Sequence, residues 1–281
     1  MGRGTGRGAY MWETGEAYER YMGRWSRLVA ARFTDWLGRA DGLSWLDVGC
    51  GTGALSSVVA DRCRPRALVG LDLSEPFVRT ARATGHGDVP AAFAVADATA
   101  LPVPDGAYDV AVSGLALNFL PAPAVGAAEL ARAVRPGDGL AAAYVWDYAE
   151  HPGFLRRFWD AVATVDPAAA VALDEGRRFG ICRPERLHSL WTDAGLTDVT
   201  TTAIDVPTVF PGFADLWDPF LAGQGPAPAY VTSLTAGDRD RVRTAYASAV
   251  PLERDGSIAL TARAWAVRGR RRPADRERRA R

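Results

Sequence analysis

The chain contains no lysine, so all 33 of its basic side chains other than histidine are arginine. This absence excludes catalysis through a Schiff-base lysine. Cysteine is also scarce, since only Cys50, Cys63 and Cys182 are present. Three scattered cysteines are too few for a disulfide framework or a zinc site, and we expect no bound metal.

The chain also lacks an excess of charge and any long apolar run. Its 33 basic residues balance 33 acidic ones, so no bulk positive charge indicates nucleic acid or an anionic membrane as a partner. No window approaches the ~20 apolar residues of a membrane span. The N-terminus is rich in glycine and arginine and has no apolar segment typical of a secretory signal. We therefore expect a cytosolic protein.

The 281 residues are 48% hydrophobic, which is enough for a substantial core. Residues 1–12 have the composition of a flexible leader, and apolar residues recur at helical spacing over 15–38. The main domain is expected over 13–267. Residues 268–281 hold mostly arginine and no large apolar side chain, which favours a disordered tail.

Short strand-like runs alternate with helical ones between residues 44 and 146. Such alternation predicts right-handed crossovers and a parallel sheet with helices on both faces. The predicted strands are "SWLDVG", "ALVGLD", "AAFAVAD", "YDVAVSG" and "GLAAAYVWD", and the predicted helices are 53–62, 74–83 and 122–134.

The second half of the chain predicts a helical cap and two further strands. Residues 148–180 and 207–250 read as cap helices, the latter broken by proline and glycine, and a helix over 183–196 separates the first segment from a strand at "TDVTTTAIDV". A long closing strand follows at "GSIALTARAWAVRG".

Three glycines, Gly49, Gly51 and Gly53, follow the first predicted strand in "LDVGCGTG". Glycine allows a sharp turn and lets a ligand approach the backbone, and N–H groups at a helix start favour an electron-rich group. Read as G-x-G-x-x-A with Ala54, the motif also suits a dinucleotide. The third interpretation is a tight turn without any ligand.

Two acids end the next two strands. Asp72 lies where a carboxylate accepts hydrogen bonds from ribose hydroxyls, although it could instead serve only the helix that begins near Ser74. Asp97 could accept from an adenine amine while the backbone N–H of Ala98 donates to a ring nitrogen. Together the two acids predict one nucleoside across the sheet edge.

In order and spacing, "LDVGCGTG", "GLDLS", "VADATALPVPDGAYDVAVSGLALNFL" and "ELARAVRPGDGLAAAYVWD" resemble the class I S-adenosylmethionine-dependent methyltransferases. The resemblance is greatest to the group that includes the ubiquinone and menaquinone C-methyltransferases, and it covers about residues 44–146. It implies a Rossmann-like sheet of seven strands, the last antiparallel and inserted beside the sixth.

The resemblance also implies roles for the site residues. Gly49, Gly51 and Gly53 would face the methionine part of S-adenosylmethionine, and Asp47 would support that loop or reach the amino group through water. The other implied contacts are Asp72 with the ribose, Leu73 beside the adenine, Asp97 and Ala98 at the adenine edge, and Ser113 near the methionine amino end.

The N-terminal helix resembles the lid of this family. Tyr21 and Arg27, with Tyr18 and Trp25, could close over the sulfonium and carboxylate ends of the cofactor. The alternative is that Tyr21 and Trp25 form the apolar face of a surface helix.

The acceptor side contains few proton-accepting groups. Many relatives carry a histidine where this chain has Asn118. His151 follows the fifth strand and is the candidate base, with Asp147 as a second candidate, whereas His86 is expected to face solvent. The cap segments are rich in aromatic residues, which suits an apolar or aromatic acceptor if they are not simply the core: Trp146, Phe154, Phe158, Trp159, Phe210, Phe213, Trp217 and Phe220.

These observations predict methyl transfer from S-adenosylmethionine to an O, N or C atom of an apolar or aromatic small molecule. The alternative is a related protein that binds the cofactor without transferring methyl, as a partner subunit or a cyclase. A nicotinamide oxidoreductase is disfavoured, because Asp97 has no role in it and a Tyr-x-x-x-Lys pair cannot exist without lysine.

Overall fold

The computed structural model describes residues 22–222 and 225–273. Its centre is a seven-stranded sheet in the order β3-β2-β1-β4-β5-β7-β6. β1 to β5 run parallel, whereas β7 is antiparallel to both β5 and β6. The predicted Rossmann-like architecture, with its last strand inserted beside the sixth, is confirmed.

The strands agree with the sequence prediction to within a few residues in the first half of the chain. Their bounds are β1 Ser44–Val48, β2 Ala67–Asp72, β3 Ala91–Val95, β4 Val110–Gly114, β5 Leu140–Trp146, β6 Leu196–Phe210 and β7 Ile258–Arg271. The strand order reverses between β1 and β4, which is where open α/β sheets bind ligands beyond the carboxyl ends of their strands.

Helices cover both faces of the sheet and build the cap. Those of the sheet are α1 Arg24–Leu37, α2 Ala54–Cys63, α3 Glu75–Ala83, α4 Pro123–Ala133 and α8 Pro184–Asp193. Those of the cap are α5 Gly153–Val165, α6 Pro167–Leu173, α7 Glu175–Arg178, α9 Phe213–Trp217, α10 Pro226–Ser233 and α11 Ala236–Ala249. Two 3₁₀ turns lie at Leu117–Phe119 and Asp218–Ala222.

The core lies in two layers, one on each side of the sheet. Alternate residues of the strands point to opposite faces: Tyr144 and Trp146 of β5 pack with α1 and the cap, whereas Ala143 and Val145 pack with α4 and α8. β5 is buried along its whole length, as expected for a central parallel strand.

The cap helices α9 to α11 are inserted between the last two strands. β6 pairs with β7 from Leu196 to Phe210, whereas β5 pairs only with the Ala264–Arg270 part of β7. The first residues of β7 and the last residues of β6 therefore form a two-stranded ribbon beyond β5. The insertion begins at the end of this ribbon.

Two predicted boundaries are wrong. The tail was expected from residue 268, but β7 continues to Arg271 and pairs with β5 and β6. The arginines there are used structurally, since the Arg268 guanidinium stacks over the Trp36 ring and donates to its carbonyl oxygen. The cap segment was expected from residue 207, but β6 extends to Phe210 because Val206, Thr208 and Phe210 alternate inward.

The predicted leader, residues 1–12, and the last eight residues of the predicted tail lie outside the described residues. The lid helix, expected over 15–38, is described from Arg24 and ends at Gly38 in the left-handed conformation. Within the described ranges, no helix is both long and apolar enough to cross a bilayer.

Candidate functional site

The turn between β1 and α2 requires glycine. Gly49, Gly51 and Gly53 have φ angles of 73°, 54° and 89°, in the region that residues with a Cβ rarely adopt. The backbone N–H groups of Gly49 and Cys50 donate to the Leu71 carbonyl oxygen of β2 at 2.7 and 3.0 Å. A Cβ on Gly51 would meet no atom of residues 22–222 and 225–273 within 4 Å, so these residues leave the backbone at Gly51 uncovered.

Gly49 has a different reason for being glycine. A Cβ at this position would lie 2.4 Å from the Ala116 Cβ and about at contact, 4.0 Å, from the Ser113 Oγ. The segment that follows β4 therefore packs directly on the glycine turn. Ser113 is buried within β4, and its expected place near the methionine amino end stays a prediction.

The Asp72 carboxylate stabilises the glycine turn through hydrogen bonds. Its Oδ2 accepts from the Gly51 N–H at 2.9 Å, and its Oδ1 accepts from the Ser74 N–H at 2.8 Å. Burial raises the pKa of Asp72, although the backbone bonds from Ser74 and Gly51 oppose this effect. The same carboxylate, at the carboxyl end of β2, thus orders both the glycine turn and the residue that precedes α3.

Asp47 is completely buried under the same turn. Its Oδ2 accepts from the Ser56 hydroxyl at 2.7 Å, whereas its Oδ1 is buried and has no hydrogen-bond partner within the described ranges. Burial raises the pKa of Asp47 to about 7, and the negative charge of Asp72 contributes to the increase. Two carboxylates at this turn favour a cationic ligand.

The expected adenine residues lie on the rim of the sheet. The Leu73 side chain is 62% exposed, although it is large and apolar. Asp97 is also exposed, and its Oδ1 accepts from the backbone N–H and the hydroxyl of Thr99 at 2.8 and 2.7 Å, which lowers the pKa of Asp97. Ala98, after β3, is half-buried.

Two of the four side chains expected to close over the cofactor belong to the described part of the N-terminal helix. Tyr21 and Tyr18 lie outside the described residues. Trp25 is buried and packs edge-on against Phe210 at 5.6 Å, so this ring belongs to the core. Arg27 is exposed on α1, and its contact with a cofactor carboxylate stays a prediction.

His151 and Asp147 lie together in the turn after β5. The His151 Nδ1 is 3.8 Å from the Asp147 Oδ2, and the histidine side chain is 27% exposed. Asp147 is buried, and its Oδ1 accepts from the Ala149 N–H at 3.2 Å, which fixes the carboxylate within the turn. The Glu150 carboxylate is also close. Asp147, Glu150 and His151 each offer one atom that could bind a metal ion, and these three atoms lie within 4.8 Å of one another.

The expectation that His86 faces solvent is wrong. His86 is buried, its Nε2 lies 3.1 Å from the Ala81 carbonyl oxygen, and its ring stacks on Phe93 at 4.8 Å. The ring closes the space between α3 and β3, beneath Gly53. Both partners are nearby in the chain, but the polar, glycine-rich composition of the loop gave no signal that His86 folds back between them.

The cap aromatics are mostly core. Eight aromatic residues were expected to line the cap. Six of them are buried and share one core cluster with Tyr230 and Tyr246: Phe154, Phe158, Trp159, Phe210, Trp217 and Phe220. Trp146 of β5 is also buried, and only Phe213 is half-buried.

A second aromatic group, not singled out from the sequence, lies at the carboxyl ends of β4 and β5. The Phe119 ring packs edge-on against Phe179 at 5.4 Å, and Phe179 lies 5.2 Å from Tyr148. Phe119 is 39% exposed, and the other two rings are partly buried. We call Phe119, Tyr148 and Phe179 the rim aromatics. They come from three separate segments, so no local pattern joined them.

Comparison with known proteins supports a single family. A family model described as a methyltransferase domain matches residues 46–142. The chain is 33% identical over 190 residues to the demethylmenaquinone methyltransferase of Renibacterium salmoninarum, covering 63% of this chain and 74% of that protein. It is 32% identical over 186 residues to the 2-methyl-6-phytyl-1,4-hydroquinone methyltransferase of a Synechocystis strain, covering 66% of this chain and 56% of that one. The chain thus spans little more than half the length of the latter relative.

A solved methyltransferase structure has a similar fold. A phosphoethanolamine N-methyltransferase of Haemonchus contortus, solved with phosphomonomethylethanolamine and S-adenosylhomocysteine, superposes with a TM-score of 0.54 at 15% identity. The match covers 92% of this chain and 57% of that one. At this identity the likeness concerns the fold alone.

Proposed function

The chain belongs to the class I S-adenosylmethionine-dependent methyltransferases, and from this premise we propose that it methylates an aromatic hydroxyl compound, a phenol or hydroquinone, at oxygen or at a ring carbon. The observation that carries the proposal is the geometry of the glycine turn. The Gly51 N–H donates to the Asp72 carboxylate, and the described residues leave the space beside the Gly51 Cα uncovered. A turn held in this way is a preformed seat for the cofactor.

The residues at the turn fit S-adenosylmethionine. The buried Asp47 Oδ1 has no partner within residues 22–222 and 225–273, and it suits the ammonium group at the methionine end, directly or through water. The Asp72 carboxylate, with its pKa raised by burial, is placed for the ribose hydroxyls. The exposed Leu73 offers an apolar surface to the adenine, and Asp97 with Ala98 lies at the edge of the base.

The bound cofactor supplies an electrophilic methyl group on a sulfonium centre. The protein must hold the acceptor in line with this group and exclude water. The rim aromatics are suited to the first task, because three contacting rings at the carboxyl ends of β4 and β5 offer an apolar surface for a flat acceptor. This surface, and the two quinol-type relatives, favour an aromatic ring over a sugar or an amine.

A phenol must lose its proton for efficient methylation. His151 lies in the turn after β5, and its Nδ1 is 3.8 Å from the Asp147 Oδ2. We assign to His151 Nε2 the acceptance of the hydroxyl proton, and to Asp147 the orientation of the ring and stabilisation of the imidazolium. Asp147 is suited to this role because its own bonds to the turn fix its position.

Two measurements test the proposal. Thermal shift should show stabilisation by S-adenosylhomocysteine and none by NAD. Incubation with methyl-labelled S-adenosylmethionine and 1,4-dihydroxynaphthalene or 2-methylhydroquinone should then give a labelled product whose mass and fragmentation distinguish O- from C-methylation. Stabilisation by the cofactor product without transfer to any phenol would favour the alternative, a cofactor-binding protein that does not methylate such acceptors.

A further inference from the structure

Asn118 is a buried amide with an unused donor. Its side chain is only 7% exposed, and its Nδ2 is buried with no hydrogen-bond partner among the described residues. Nearly all buried polar groups are paired, and an unpaired one destabilises a folded protein by about 1–3 kcal/mol. Such a group persists where a ligand pairs with it, and an amide NH₂ pairs only with an acceptor atom.

The position of Asn118 indicates which ligand this is. The residue lies in the 3₁₀ turn Leu117–Phe119 at the carboxyl end of β4. On one side of it, Ala116 packs on the glycine turn, where a Cβ at Gly49 would be 2.4 Å away. On the other side, Phe119 is one of the rim aromatics and packs against Phe179. Asn118 therefore lies between the cofactor seat and the surface assigned to the acceptor ring.

Resting on the proposed function, we infer that the Asn118 Nδ2 donates a hydrogen bond to an oxygen of the methyl acceptor, and so selects aromatic rings that carry a hydroxyl or carbonyl oxygen over hydrocarbons of the same shape. The amide cannot act as a base at neutral pH, so its part is recognition and orientation, and the proton goes to His151. The cofactor carboxylate is the other oxygen that could reach this turn.

The test is a thermodynamic cycle between the amide and the ligand oxygen. Equilibrium dialysis measures the affinity of protein saturated with S-adenosylhomocysteine for 1-naphthol and for naphthalene, which lacks the oxygen. Wild-type protein should prefer 1-naphthol, and Asn118→Ala should reduce this preference by about five- to tenfold. Asn118→Leu, whose side chain has a similar size and neither donates nor accepts, should reduce it as much. Affinity for S-adenosylhomocysteine should stay within about twofold of wild type in both variants.

Thr208→Val is the matched control. Thr208 Oγ1 is also buried without a partner among the described residues, but it lies on the outer strand β6. Its removal should leave the naphthol preference unchanged. Circular dichroism and the melting temperature check the fold of each variant; because the donor in Asn118 is unpaired, Asn118→Ala should not lower the melting temperature.

Three results would overturn the inference. An unchanged preference in Asn118→Ala shows that the amide does not contact the acceptor, and leaves the proposed function intact. A loss of S-adenosylhomocysteine affinity of about tenfold or more assigns the amide to the cofactor. If S-adenosylhomocysteine binds but neither aromatic probe does, the aromatic acceptor of the proposed function fails, and this inference fails with it.

Discussion

Replacement of Gly51 by alanine should separate stability from ligand binding. In the free protein a Cβ at this position meets no atom of the described residues within 4 Å, so we expect the cost to come from the positive φ of 54°. Left-handed backbone costs a non-glycine residue about 1–2 kcal/mol. At about 2–4 °C per kcal/mol for a chain of this size, the melting temperature should fall by about 2–8 °C.

Binding of S-adenosylhomocysteine to Gly51→Ala should fall much more. The open space above Gly51 is where we place the methionine part of the ligand, and a methyl group there would overlap it. Overlap of this kind costs about 1–3 kcal/mol, which corresponds to a loss of affinity of about five- to 150-fold. Isothermal titration calorimetry measures the dissociation constant directly.

Gly42→Ala is the control for this prediction. Gly42 has a φ of 75°, and an added Cβ also meets nothing within 4 Å, but it lies in the turn before β1. The two variants should melt at similar temperatures, whereas only Gly51→Ala should lose affinity. Equal affinity in both variants would refute the assignment of this space to the ligand. Gly49→Ala should be the least stable, because its Cβ would lie 2.4 Å from Ala116.

Three further predictions concern titratable side chains. Asp72→Asn exchanges one accepting oxygen for a donor, so calorimetry should show about ten- to 100-fold weaker binding of S-adenosylhomocysteine, and wild-type affinity would remove Asp72 from the ribose. His151→Gln should slow methylation of a phenol by about 10²- to 10⁴-fold with unchanged cofactor affinity; an unchanged rate would exclude His151 as the base. Glu175 is fully buried in the cap, accepts a hydrogen bond from Trp159 Nε1, and has its pKa raised by burial to about 7. Because the folded-state pKa lies above that of the unfolded chain, stability should decrease as pH rises from about 4.5 to about 7. Glu175→Gln should therefore exceed wild type by up to about 3 kcal/mol in urea unfolding at about pH 8.5, with little difference at about pH 4.5, and a constant difference across this range would contradict the raised pKa.

The sheet and the cofactor seat were predictable because their signals are local. Gly49 and Gly51 lie within three residues of the end of β1, and Asp72 is the last residue of β2, so each is marked by its position relative to a strand. The order of strands then brings these segments together without further information. The helix and strand alternation likewise follows from short periodic runs.

The rest depended on contacts between distant segments. The rim aromatics join residues 119, 148 and 179. The burial of His86 is a local matter, but it depends on how the loop folds back onto Phe93, which the composition of the loop does not indicate. The extension of β7 was hidden by its arginines, whose charge indicates solvent although Arg268 stacks over Trp36 within the fold. The unpaired donor of Asn118 is visible only once every neighbouring group has been placed.

The position of the cap on the β6–β7 ribbon separates two kinds of sequence change. The residues assigned to the cofactor lie before residue 114, whereas residues 211–257 begin and end at neighbouring points of one ribbon, where Phe210 pairs with Ile258. The insert also contributes to the core, since the Tyr246 hydroxyl donates to the Phe154 carbonyl oxygen and the Tyr230 ring lies 5.8 Å from that of Trp159. A transplanted insert from a relative should therefore fold on this scaffold only if it keeps the residues that pack against α5.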